Sequence, residues 1–93
     1  MNYALAKTLK EAGFPQAGLG QWALPPDNLV SRNADRVYVP TLEELIDTCG
    51  DDLIELHRAQ NTGTWFASGY GVVGEGSTHA EAVARLWLAI QDI

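Results

Sequence analysis

Few residues in this chain could do chemistry, and their spacing decides what kind. The histidines are His57 and His79. Neither has a Cys, His or carboxylate partner at the spacing of a zinc site. Asp47, Asp51, Asp52 and Glu55 are close enough in sequence to hold a hard cation, but they lack the alternating oxygen pattern of a calcium loop. They read better as a solvated acidic helix end. Ser31, Ser68 and Ser77 lack the surroundings of a nucleophile elbow. Cys49 is the sole cysteine and falls on the apolar side of its segment, where a thiol is inert.

Gly69-Tyr70-Gly71-Val72-Val73-Gly74 matches G-x-G-x-x-G. A dinucleotide site needs a helix to begin inside that motif. Here the next helix signal comes only after Gly76, so a hairpin or bulge is the better reading. No enzymatic activity, cofactor or metal is therefore expected.

Charge gives a sharper signal. The 93 residues carry a net charge of −6. Glu43, Glu44, Asp47, Asp51, Asp52 and Glu55 lie in one stretch without Lys or Arg, and the other acids are balanced by bases. Such a patch repels a phosphate backbone, so direct nucleic-acid binding is not expected. These six residues are the candidate surface for a basic protein partner.

The elements that position these residues follow from caps and periodicity. Asn2 to Ala12 predicts an amphipathic helix with Leu5, Leu9 and Ala12 on one side, capped by Asn2 and stopped by Gly13 and Pro15. Phe14 to Asp35 has no clear period, and Trp22 and Leu24 are expected to anchor it over the core. Arg36 to Val39 predicts a short strand closed by Pro40. Thr41-Leu42-Glu43-Glu44 is a capping box, and Leu42, Leu45, Ile46 and Cys49 form the inner face of the helix up to Gly50.

Leu53 to Ala59 alternates, with Ile54 and Leu56 on one side and Glu55 and His57 on the other. Gln60 to Gly63 turns the chain into Thr64 to Tyr70, the second arm of a hairpin. Trp65 and Ala67 fall on one face of that arm and Phe66 and Tyr70 on the other, which predicts cover on both sides. Val72 and Val73 are expected to add a third short strand. Thr78-His79-Ala80-Glu81 repeats the capping box and opens a helix with the stripe Val83, Leu86, Trp87 and Ile90. Ala84 and Leu88 widen that stripe, so this helix should be more buried than the first.

The expected fold is a single α+β domain over residues 1–93, a small antiparallel sheet layered with helices. With no apolar run near the ~18–20 residues of a membrane span and no leader-like segment, the chain is expected to be soluble and cytoplasmic. The broad last helix and the Leu53 to Ala59 strand, at an edge, would suit a homodimer seam.

Three blocks carry a family likeness. Leu9-Lys10-Glu11-Ala12-Gly13-Phe14-Pro15, then Tyr38 to Ile46 through Cys49-Gly50, then Thr78 with Glu81 to Ala89 resemble small phage and prophage proteins with the phage ABA sandwich domain. The resemblance implies a helix/sheet/helix layering in a bacterial host and no catalytic residues. Gly76-Ser77-Thr78 with Glu81-Ala82 is similar to the end of HicB-type antitoxin domains, although the N-terminal half departs from that pattern. Together these readings imply a protein–protein interaction or self-associating module. The alternative is an acidic, antitoxin-like inhibitor of a basic partner.

Overall fold

The computed structural model describes residues 2–24, 36–69 and 71–91. The fold is α+β, with helices α1 (Tyr3–Glu11), α2 (Leu42–Cys49) and α3 (His79–Gln91). The strands are β1 (Gln21–Ala23), β2 (Val37–Val39), β3 (Glu55–Arg58), β4 (Trp65–Ser68) and β5 (Val73–Gly76). They form two antiparallel sheets, β1-β2 and β3-β4-β5, where a single small sheet was expected. Contacts gather the chain into two compact units, Met1–Thr41 and Leu42–Ile93.

In the first unit, Asn2 caps α1 by accepting the Leu5 amide at 2.8 Å, which satisfies one of the amides a helix start leaves open. Gly13 follows with φ +95°, the left-handed stop expected there. Leu5, Ala6 and Leu9 are buried and pack toward β2, whose Val37 and Tyr38 are buried too. A fully buried leucine contributes roughly 1.5–3 kcal/mol.

The segment after α1 is pinned differently from the expectation. Trp22 and Leu24 are each 46% exposed, so neither is a core anchor. Phe14 is the buried residue there, at 3%. Gln16 then bridges two backbones: its Nε2 donates to the Phe14 carbonyl at 3.0 Å, and its Oε1 accepts the Tyr38 amide at 3.1 Å. The Gly20 amide donates to the Tyr38 hydroxyl at 2.6 Å. Trp22 sits directly opposite Tyr38 and meets it edge-on, with the Arg36 guanidinium 4.9 Å from the Trp22 ring centre. Side-chain amide and phenol chemistry thus orders a stretch that lacks a hydrophobic period. Pro25, Pro26 and the rest of 25–35, with Ser31, lie outside the described residues, as does Tyr70.

In the second unit, α2 buries Leu45 and Cys49, with Leu42 and Ile46 half-buried. Gly50 at φ +59° ends it and a single 3-10 turn, Gly50–Asp52, leads out. The hairpin closes with Ala59 N–H on the Thr64 carbonyl at 2.8 Å, and Gly63 takes φ +71° in its loop. α3 packs on β5 and β4, and α2 packs on α3. Ala82, Val83, Ala84, Leu86 and Trp87 are buried in α3, more than in α1.

The seam between α3 and β5 depends on absent side chains. Along β5, Val73 and Glu75 are exposed while Gly74 and Gly76 are buried. A Cβ on Gly74 would collide with the Leu86 amide and the Ala82 carbonyl, and one on Gly76 would sit 2.5 Å from Glu81 Cβ. The helix backbone therefore rests directly on the strand. Trp65, opposite Gly76, fills the neighbouring space and meets the His79 ring edge-on at 5.4 Å.

Candidate interaction surface

The residues picked out for chemistry separate into structural and exposed groups. Cys49 is buried, its Sγ 4.0 Å from the Val83 carbonyl. Burial first, and then the Asp52 carboxylate, push its thiol up from 9.0 to about 11. It is a packing residue, as expected. His79 packs against Trp65 at the start of α3. The G-x-G-x-x-G glycines serve the fold. Gly71 takes φ +77°, Gly74 admits α3, and a Cβ on Gly69 would stand 2.5 Å from the Asp52 carbonyl.

The second capping box forms in a shifted version. Thr78 Oγ1 accepts the Glu81 amide at 3.2 Å, as expected. Glu81 Oε2 accepts from the Ser77 amide at 3.2 Å and the Ser77 hydroxyl at 2.9 Å, one residue earlier than the reciprocal bond of a standard box. Burial works against ionisation of Glu81. The Ser77 bonds and the Arg85 charge outweigh it and hold the carboxyl below its ordinary range.

The acidic residues lie mainly on α2 and the turn after it. Glu43, Asp47, Asp51 and Asp52 are exposed and Glu44 is half-buried. Among the described residues, no three His, Cys, Asp or Glu side chains converge as a metal site. Glu55 projects from the sheet and meets His57, with Glu55 Oε1 3.4 Å from His57 Nδ1.

That pair belongs to a surface which only the strand register reveals. Glu55 and His57 of β3 share a face with Phe66 and Ser68 of β4 and with Val73 and Glu75 of β5. α3 covers the other face, through Leu56, Ala67, Gly74 and Gly76. Of the cover expected on both sides of this arm, the described helices of this unit supply one side only. His57 lies directly opposite Phe66 and stacks on it, ring centres 5.4 Å apart and planes 21° from parallel. Val73 is 60% exposed on the same face. Ile54, expected to point inward with Leu56, is 58% exposed because its amide joins Glu55 in addressing Ser68. Two residues against one is a bulge, and it breaks the alternation at the start of β3.

The two edges of this sheet differ. On β5, Arg85 Nη1 donates to the Glu75 carbonyl at 2.8 Å, so a side chain occupies that edge. On β3, the Ala59–Thr64 bond sets the alternation, and the backbone groups of Leu56 and Arg58 point out of the sheet. No described strand pairs with them. Sequence reasoning placed this strand at an edge but had no signal for the Arg85 contact, which joins residues ten apart through a helix and a turn.

The chain matches no family model, no curated protein and no solved structure. No helix among the described residues is long and apolar enough to cross a membrane.

Proposed function

We propose that this chain is a small non-enzymatic contact protein that binds another protein or a copy of itself, in a phage or prophage setting. The setting, and with it the cytoplasm of a bacterial host, rests on the resemblance in the Leu9, Tyr38 and Thr78 blocks. The contact role is supported by one observation above the others. The sheet face carrying Val73, Phe66 and His57 has no described helix of its own unit over it, and Val73 is 60% exposed there. An apolar patch with a polar rim is the composition of a contact surface. Affinity capture from host lysate tests it, with wild-type chain and Val73→Asp as paired baits. A protein held by the wild type and lost by the variant supports the reading; equal capture by both counts against this face.

A second reading has its own support. Glu43, Asp47, Asp51 and Asp52 are all exposed, and none holds an ion pair among the described residues. That suits an acidic inhibitor occupying a basic, nucleic-acid-binding site on a partner; direct nucleic-acid contact by this chain is no part of either reading. Neutralising Glu43, Glu44, Asp47 and Asp51 together should then abolish binding, and wild-type affinity should fall as salt rises. Binding that survives both treatments excludes the inhibitor.

A further inference from the structure

Resting on the contact-module reading, we infer that the partner at the β3 edge is a second copy of this chain, joined antiparallel about a two-fold axis. The first ground is the asymmetry of the edges. Arg85 occupies the outward Glu75 carbonyl of β5, while no described strand pairs with the outward backbone groups of Leu56 and Arg58 of β3. Native sheets cover or blunt an edge that must stay unpaired. Among the described residues, only the β5 edge of this sheet has that treatment.

The second ground is that β3 is complementary to itself in one register. An antiparallel neighbour must bond to outward groups, so Leu56 faces Leu56 or Arg58 of the second copy, or else Arg58 faces Arg58, which like charge disfavours. Leu56 facing Arg58 puts His57 against His57 at the axis. Facing Leu56 puts Glu55 of each chain against His57 of the other, carboxylate to imidazole. Cross-strand pairs of opposite character favour that second arrangement. It also supplies the hydrogen bonds. Leu56 exchanges N–H···O=C bonds with its symmetry mate. The Ile54 carbonyl, turned outward because the Glu55 amide faces β4, accepts the Arg58 amide of the second copy. Leu56 meets Leu56 on the helix-covered face, and the His57–Phe66 stacks flank the axis on the other. β3 has only four residues, so the pairing is a weak, micromolar one.

Sedimentation of the full chain across a concentration series tests this, using Glu55→Lys and His57→Glu separately and mixed. Wild type should dimerise. Each variant alone should weaken by about tenfold. In Glu55→Lys the new ammonium faces the imidazole of His57, and in His57→Glu the new carboxylate faces Glu55. The equimolar mixture should recover, since the lysine of one variant then meets the glutamate introduced in the other. A change confined to one chain cannot produce that rescue. Amide exchange gives an independent reading, with Leu56 and Arg58 slowing as concentration rises. A wild type that stays monomeric, or a mixture that fails to recover, overturns the pairing. A monomer that still captures a different protein through the Val73 face leaves the contact-module reading standing; one that captures nothing sinks both.

Discussion

Gly74 and Leu86 are in backbone contact: a Cβ placed on Gly74 would lie 2.8 Å from Leu86 Cα. The obstacle is main chain, which cannot rotate aside. Gly74→Ala should therefore push α3 off β5 and cost about 1–3 kcal/mol or more, read as a lower denaturation midpoint. An unchanged midpoint would mean the helix does not rest on the strand.

Gly50 makes the opposite case. Nothing lies within 4 Å of its would-be Cβ, but φ is +59°. Gly50→Ala should cost about 1–2 kcal/mol through backbone strain alone. Gly50→Asn should cost less, since asparagine tolerates that region. Equal losses for the two would rule out conformation as the cause.

Cys49 predicts an alkaline limb. Its folded pKa is raised from 9.0 to about 11, so the neutral thiol is favoured in the native state. The contribution is whole below pH 9 and is lost as pH rises toward 11, an effect of up to about 3 kcal/mol. Urea unfolding of wild type and Cys49→Ala between these values should converge as pH climbs. Thiol labelling of the native chain at pH 8 should be slow and should quicken on unfolding.

Glu81 predicts the acid limb. Its carboxyl is held below the ordinary range despite burial, so its contribution is present above the unfolded pKa and disappears as pH falls through the folded one. Glu81→Gln should flatten the acid end of the stability profile while leaving alkaline behaviour unchanged. Thr78→Ala should cost about 1 kcal/mol at every pH, because its hydroxyl bond to the Glu81 amide does not titrate in that range.

Gln16→Ala should remove about 1–3 kcal/mol, since both hydrogen bonds of its side chain, from the Tyr38 amide and to the Phe14 carbonyl, are lost. Gln16→Glu keeps an oxygen for Tyr38 but gives up the donor to Phe14, and should fall between wild type and alanine.

These residues show why parts of the fold were legible in sequence and others were not. Helices announce themselves through caps and repeating apolar positions, and Asn2, Thr78, Gly13 and Gly50 each stand at the end they mark. β1 was hidden because its order comes from Gln16, Tyr38 and Arg36, whose bonds depend on three-dimensional neighbours. β5 inverts the usual rule, with valine outside and glycine inside, so a hydrophobic pattern points to the wrong face. The open face with Phe66, His57 and Val73 needed the strand register, which a hairpin's apolar residues leave free to slip by pairs. The acidic stretch was visible from charge alone, and the alternation of Leu53 to Ala59 already set Glu55 and His57 on one side of one strand; the stacking of His57 on Phe66 needed the register between strands.

Arg85 on the Glu75 carbonyl has an effect beyond local stability. A ribbon with two bare margins can recruit neighbour after neighbour and lengthen into a fibre. With one margin of the β3-β4-β5 sheet stoppered at Glu75, that sheet keeps a single margin to join through, and under the proposed pairing two molecules joined there leave it none. Removing that guanidinium should turn a terminating association into an open-ended one.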